Sequence, residues 1–314
     1  DELGSVRTDE SYLQKHIQAI VQYPLVDVKA IEAAQFRVVV DAINSSGAIY
    51  VPALLKALGV RSVTVLNEAV TGDFAHNPEP LPEHLTQLST AVVEQHAHLG
   101  IAVDPDVDRL CFVNEDGSLF GEEYTLVAVA DHILSNRPGN TVSNMSSTAA
   151  LKVLTRQYGG DYHAAAVGEV NVVSKMKAVQ AVIGGEGNGG VIVPDFHYGR
   201  DALIGIGLFL TLLAKRKLSM TALRATYPEF HISKNKIDLQ PGLDLAALFS
   251  KIQAKYVGQP MLTEDGLRIE FGDDWVHLRG SNTEPIIRIY AESRSAEAAR
   301  QLALQLMNDI EALA

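Results

Sequence analysis
Gly100-Ile-Ala-Val-Asp-Pro-Asp-Val-Asp-Arg109 joins a short apolar run to three carboxylates on alternate residues. Ile101 to Val103 reads as a strand, and the loop DPDVDR leaves its carboxyl end. Asp104, Asp106 and Asp108 concentrate more negative charge than an apolar neighbourhood tolerates unless a cation or cationic side chains neutralise it. Hard oxygen ligands gathered in one loop suit Mg²⁺, which keeps positions open for water or a phosphate oxygen. Taken by itself, the loop reads first as a solvent-facing acidic turn opened by Pro105.

Upstream, the pattern explains why a strand ends here. Tyr12, Leu13, Ile17, Ile20 and Val21 have helical spacing before Pro24 ends the segment. The period then changes. Phe36-Arg-Val-Val-Val40 is β-branched, Asn44-Ser-Ser-Gly47 offers turn and cap chemistry for a helix to Leu58, and Ser62-Val-Thr-Val-Leu66 is a second strand. A strand, helix, strand unit with this connection predicts a parallel sheet. Thr71 to Pro80 reads as loop, a helix is expected over 82–98, and the strand before Asp104 is the third. In open α/β sheets ligands bind beyond the carboxyl ends of the strands, which is where DPDVDR falls.

Downstream of the turn Asn114-Glu-Asp-Gly117 the alternation restarts, with helices over 122–134, 147–158 and 170–179 and strands near 141–142, 163–167 and 181–183. An apolar helix over 202–213 follows, and Lys215-Arg-Lys217 reads as its solvated end. The tail has several strands joined by short turns, expected over 232–239, 266–271, 275–279 and 286–291, with helices near 243–256 and from Ala296. The predicted architecture is therefore two successive three-layer α/β/α domains with mixed, largely parallel sheets, at 1–117 and 118–228, and a smaller α+β domain with an antiparallel sheet at 229–314.

Composition narrows the classes of function. A chain of 314 residues with 47% hydrophobic residues can bury substantial cores. The net charge of −12 disfavours nucleic acid or an anionic membrane as partner. Cys111 is the sole cysteine, which excludes an internal disulfide, fits a reducing compartment and reads as a buried strand residue. DELGSVRTDE lacks the layout of a signal peptide, and no apolar run approaches the ~20 residues of a membrane helix, so cytoplasm is the expected location. The absence of a starting methionine suggests a processed or truncated chain.

Two further stretches carry chemistry. In Gly184-Gly-Glu-Gly-Asn-Gly-Gly190, a carboxylate and an amide sit on a close-approach backbone suited to hydrogen bonding vicinal sugar hydroxyls. Walker-type phosphate binding fits poorly, since Glu186 repels phosphate and no Lys-Ser/Thr ending follows; a glycine-rich turn with a solvated Glu186 is the plainer alternative. Arg279-Gly-Ser-Asn-Thr-Glu-Pro285, with Arg288 beyond, combines guanidinium charge with hydroxyl, amide and backbone donors suited to a dianionic phosphate. A structural hairpin turn is the alternative there.

DPDVDR, GGEGNGG and RGSNTEP in this order resemble the metal-, sugar- and phosphate-binding loops of the alpha-D-phosphohexomutase family, over essentially the whole chain. The resemblance implies the second, third and fourth of four domains, with the first domain missing in cis. It implies a Mg²⁺-dependent shift of a phosphoryl group between the 1- and 6-positions of a hexose phosphate, through a phosphoserine and a hexose bisphosphate. By similarity Asp104, Asp106 and Asp108 hold the metal and Arg109 contacts the phosphoserine region. Glu186 and Asn188 take sugar hydroxyls, and Arg279, Ser281, Asn282, Thr283 and Arg288 hold the phosphate that is not reacting.

The family's phosphoserine lies in a Thr-Ala-Ser-His-Asn-Pro-like loop that this chain does not contain. Ala75-His-Asn-Pro78 lacks the serine and reads as structure, while Ser45 and Ser46 read as helix caps. The lysine that some members carry in the third domain has no counterpart in Ala165-Ala-Val-Gly168; Lys175 and Arg200 are the basic residues nearby. The chain is thus expected to be inactive by itself and part of an enzyme acting on glucose or mannose phosphate, with glucosamine phosphate as runner-up. A non-catalytic sugar-phosphate-binding protein is the alternative from another class. A phosphatase using Asp104 as nucleophile fits poorly, since DPDVDR follows a third strand rather than the first.

Overall fold
The computed structural model describes residues 4–238, 244–281 and 285–313. In chain order the elements are α1 (Tyr12–Gln22), α2 (Val28–Ala34), β1 (Arg37–Asp41), α3 (Gly47–Ala57), β2 (Ser62–Leu66), a 3-10 turn (Pro82–His84), α4 (Thr86–Glu94), β3 (Leu99–Val103) and β4 (Leu110–Asn114). They continue as α5 (Glu122–Asn136), β5 (Thr141–Asn144), α6 (Ala149–Gln157), β6 (Tyr162–Ala165), α7 (Glu169–Val179), β7 (Ile183–Glu186), β8 (Gly190–Ile192), α8 (Ala202–Arg216) and α9 (Met220–Arg224). The last are β9 (His231–Asp238), α10 (Leu245–Lys255), β10 (Met261–Leu262), β11 (Leu267–Phe271), β12 (Asp274–Gly280), β13 (Ile286–Ser293) and α11 (Ala296–Leu313).

The chain forms two compact units: 1–132 with 189–191 and 200–224, and 133–188 with 192–199 and 225–314. In the first, the sheet order is β2-β1-β3-β4. β1 pairs in parallel with β2 and β3, and β4 returns antiparallel to β3. The carboxyl ends of β1 and β3 therefore lie side by side where the strand order reverses, the position at which such sheets bind ligands. On one face Leu88 and Val92 of α4 pack with Val39, Ala102, Cys111 and Val113. Elsewhere in this unit Phe209 of α8 stacks on Phe112 with ring centroids 3.8 Å apart. Residues 202–213 of α8 are all buried, which is why the segment is apolar on every side.

In the second unit, β6, β5 and β7 form a sheet in which β5 is parallel to both β6 and β7. The other sheet, β10-β11-β12-β13-β9, is antiparallel throughout, and α10 and α11 cover one face around Leu248, Ile252, Leu306 and Ile310. On its other face Arg268, His277 and Glu292 are polar but buried. Arg268 donates to the carbonyl of Met145, and Glu292 accepts from the Trp275 indole and the Ala149 amide, each at 2.7 Å. The fold is two mixed α/β sheets followed by an antiparallel α+β sheet, as the sequence predicts.

Boundaries differ in places with identifiable causes. The helix expected over 82–98 is a 3-10 turn and the shorter α4, because His96 takes a left-handed conformation (φ 50°) and ends it. The strand expected over 181–183 lies at Ile183–Glu186, where Gly184 and Gly185 stay paired with β5. A Cβ at 184 would lie 2.9 Å from the Val142 carbonyl oxygen and 2.5 Å from the Met176 sulfur, so a larger residue there would force both to shift. The Lys215-Arg-Lys217 end is exposed, as expected, and there Lys215 pairs with Asp27 at 3.3 Å and Arg216 with Asp131 at 3.0 Å. Among the described residues no helix is long and apolar enough to cross a membrane.

Candidate active-site loops
The loop after β3 gathers Asp104, Asp106 and Asp108 so that one oxygen of each lies within 4.8 Å of the others. Its shape comes from its own backbone. Asp104 Oδ1 accepts the amides of Asp108 and Arg109, each at 3.0 Å, which turns the chain back on itself. The turn leaves Val107 at φ 60°, a conformation that β-branched residues rarely adopt. Ile43 and Asn67 beyond β1 and β2 are also left-handed (φ 49° and 52°), so backbone strain concentrates at the ligand-binding edge of this sheet.

Three distant segments hold the loop. The hydroxyls of Ser45 and Ser46 both donate to the Pro105 carbonyl, at 3.0 and 2.5 Å. The expectation that they cap α3 is thus corrected: Ser46 occupies the cap position, but its side chain makes no cap bond. The amide of Ala202 donates to the Val107 carbonyl at 3.1 Å. Beyond the loop, Leu110 donates to the Gly189 carbonyl at 3.1 Å and Arg109 bridges to Gly190. Gly189 is irreplaceable by geometry: φ is 86°, and a Cβ would sit 2.3 Å from the Leu110 carbonyl oxygen.

Charge in the loop is only partly met. Arg109 Nε lies 3.6 Å from Asp104 and 4.0 Å from Asp108, and Arg200 hydrogen-bonds Asp108 Oδ2. The latter gives Arg200 a role that sequence position alone left open. Burial, reinforced by Asp104, pushes the Asp108 carboxyl up to about 7 against the pull of Arg200. Asp108 Oδ1 is buried without a hydrogen-bond partner. A buried, unbonded carboxylate oxygen beside two more carboxylates is the donor set a hard divalent cation takes.

Glu186 and Asn188 lie at the end of β7 and just after it. Glu186 is 5% exposed, and its Oε1 accepts from the Asn144 amide at 2.9 Å and the Gly168 backbone at 3.1 Å. Asn144 is fixed in turn by Ser147, whose hydroxyl donates to Asn144 Oδ1 and accepts the Gly187 amide, both at 2.9 Å. Sequence reasoning missed Asn144 and Ser147, because only the parallel pairing of β5 with β7 brings the ends of the two strands together.

Arg279 and Arg288 stand opposite each other on β12 and β13. Asp265 lies 3.1 Å from Arg279 Nε through both oxygens. The Ser281 amide donates to the Ile286 carbonyl at 3.0 Å. Asn282 and Thr283 lie outside the described residues. One row away, His277 takes the Ser146 hydroxyl at Nδ1 (2.8 Å) and faces the Asp265 carbonyl at Nε2 (2.6 Å). Burial pushes its pKa down to about 4, so it is neutral at ordinary pH.

Comparison with known proteins finds one family along the chain. Residues 14–117, 121–230 and 235–309 match, in turn, the α/β/α domain II, the α/β/α domain III and the C-terminal domain of phosphoglucomutase/phosphomannomutase. A phosphoglucomutase/phosphomannomutase of Thermococcus kodakarensis is 35% identical over 305 residues, 96% of this chain and 66% of that protein. A probable phosphoglucosamine mutase of Methanopyrus kandleri is 32% identical over 308 residues, again 96% of this chain and 66% of its own length. The chain thus spans about two thirds of these relatives. The crystal structure of a phosphoglucomutase/phosphomannomutase family protein from Burkholderia thailandensis superposes with a TM-score of 0.78 at 28% identity, covering 94% of this chain and 64% of that one. With a model of this family matched in each of three successive segments and relatives above 30% identity, the chain belongs to the phosphoglucomutase/phosphomannomutase family, the alpha-D-phosphohexomutases.

Proposed function
We propose that residues 1–117, 118–228 and 229–314 are the metal-, sugar- and phosphate-binding domains of a mutase that moves a phosphoryl group between O1 and O6 of a hexose phosphate. The observation that carries this reading is the convergence of the three DPDVDR carboxylates, with a buried unbonded oxygen on Asp108, in a chain of this family. Asp104, Asp106 and Asp108 would hold Mg²⁺, which when bound supplies charge to stabilise a transferring phosphoryl group. Arg109 faces the phosphoserine region. Glu186, aimed by Asn144 and Gly168, and Asn188 take two adjacent hydroxyls of the sugar, while Arg279, Ser281 and Arg288, with Asn282 and Thr283, retain the phosphate that is not reacting. This division suits phosphoryl transfer, in which positioning and charge neutralisation dominate catalysis.

The phosphoserine that carries the group through a hexose bisphosphate belongs, in this reading, to a first domain outside residues 1–314 and joined to them in cis. Support comes from Ser45 and Ser46, whose hydroxyls are committed to Pro105. Glucose or mannose phosphate is the first choice of substrate and glucosamine phosphate the runner-up, which the Methanopyrus relative favours; the cytoplasm is the proposed compartment.

The test is a mutase assay with glucose, mannose and glucosamine 1-phosphates and Mg²⁺, on the 314-residue chain and on a longer protein extended upstream of Asp1. The expected result is turnover of at least one sugar by the longer protein and none by the shorter. Turnover by the 314-residue chain at an ordinary rate, about 1 per second or faster, overturns the placement of the serine. Absence of turnover by the longer protein on all three overturns the function.

A further inference from the structure
A buried carboxylate outside the DPDVDR loop stands at the end of β1. Asp41 is 1% exposed and lies in register with Ala102 of β3, two residues before Asp104. A carboxylate so buried is tolerated where hydrogen bonds and opposite charge meet it. Its Oδ1 accepts the Ile43 amide at 3.1 Å and the Asn67 side-chain amide at 2.9 Å, and its Oδ2 stands 3.0 Å from His76 Nε2. The Ile43 bond closes a turn that the backbone disfavours, for Ile43 and Asn44 are left-handed in succession, at φ 49° and 56°. Asn44 is fixed in turn by donating its amide to the Asn67 carbonyl at 2.6 Å. Ser45 and Ser46 follow at once, and their hydroxyls reach Pro105.

We infer that Asp41 is a positioning residue for the DPDVDR loop, acting through Ser45 and Ser46, an inference that rests on the metal-site reading above. Pro105 lies between two of the three carboxylates, so the point at which its carbonyl is held sets how Asp104 and Asp106 are spaced. Two short hydroxyls reach that carbonyl from a backbone held as the 42–44 turn holds it. Released from Asp41, Ile43 relaxes to the right-handed or extended region that a β-branched residue prefers, and the serines turn away from Pro105. Asn67 and His76 complete the device, because they occupy other acceptor positions of the carboxylate and keep it aimed at the turn. Asp41 thus connects the ends of β1 and β2 and the loop over 71–80 to the place where the three carboxylates converge.

The experiment measures magnesium binding to the 314-residue chain by calorimetry, alongside thermal unfolding without metal. Asp41→Ala should bind magnesium about fivefold more weakly, no further than the variant lacking both serine hydroxyls, and in that background it should have no added effect. Asp41→Asn keeps an oxygen for the Ile43 amide and should stay within about twofold of the wild type, although its charge is gone. His76→Leu, which leaves Asp41 present but no longer aimed, should bind about threefold more weakly. Thr64→Ala removes a bond from β2 to Gln95 and should leave the affinity unchanged. Normal magnesium affinity in Asp41→Ala, or in His76→Leu where Asp41→Ala does not fold, overturns the inference, because Asp41 is then structural. Equal weakening by Asp41→Asn and Asp41→Ala assigns the effect to charge, and an added effect in the double-serine background assigns it to another route; either overturns the inference. If the wild-type chain takes up no magnesium, the metal-site reading itself is wrong.

Discussion

The loop 104–109 crowds three carboxylates, and the strands β12, β13 and β9 line up three cations, Arg279, Arg288 and Lys236, yet the two regions are built in opposite ways. The carboxylate loop has no repeating geometry of its own. Its shape depends on Asp104 binding two amides, on Ser45, Ser46 and Ala202 reaching its carbonyls, and on Gly189 lying against Leu110. The cation row needs no such anchors, because antiparallel register alone sets its spacing. The first is a cluster of like charge that a partner of opposite sign would relieve. Damage at a distance should therefore reach the first region through the backbone, whereas the second should respond mainly to changes of charge.

The sharpest break in this comparison is Gly189→Ala. A side chain 2.3 Å from a carbonyl, at φ 86°, should destabilise the chain by about 3 kcal/mol or more and lower its melting temperature by many degrees. A melting temperature within a degree or two of the wild type would show that the carboxylate loop does not depend on this approach.

On the side of the cation row, His277 makes stability depend on pH. Its folded pKa of about 4 lies below the ordinary histidine value, so its contribution is fully present above about 6.5 and is lost as pH falls toward 4, on the order of 3 kcal/mol in all. Ser146, Asp265, Arg268 and Arg279 surround it, and the two arginines oppose a further positive charge. Chemical denaturation from pH 7 to 4 should show the loss, and His277→Gln should flatten it. An unchanged slope in the variant would assign the acid sensitivity elsewhere.

The smallest expected effect is at the serine pair. Ser45→Ala and Ser46→Ala should each cost about 1 kcal/mol, and the double variant should weaken magnesium binding several-fold because Pro105 loses both donors. Undiminished magnesium affinity in the double variant would limit the pair to a structural role.

What could be read from the sequence divides along the same line. The β-branched runs at Phe36 to Val40 and Ser62 to Leu66 and the apolar run before Asp104 gave the parallel sheet, because alternation and turn residues are local signals. Asp104, Asp106 and Asp108 were visible together because they are neighbours in the chain. Arg200 beside Asp108, Asn144 behind Glu186, and the diversion of Ser45 and Ser46 from capping to Pro105 were not, since each depends on long-range pairing that no periodicity encodes. The two-residue β10 and the five-residue α9 were too short to carry a pattern. The role of Asp41 was hidden for the same reason as Asn144: its bonds to Asn67 and His76 span 26 and 35 residues of chain.

The central claim, that the DPDVDR loop is a divalent cation site, is tested most directly by titrating magnesium into the 314-residue chain and into Asp108→Asn while following thermal unfolding. Magnesium should raise the melting temperature of the wild type in a saturable way, by mass action on the folded state. In Asp108→Asn the ligand-free chain should melt no lower, since a crowded charge has been removed, and magnesium should have little effect. Equal stabilisation of both chains by magnesium, or of neither, would contradict the account.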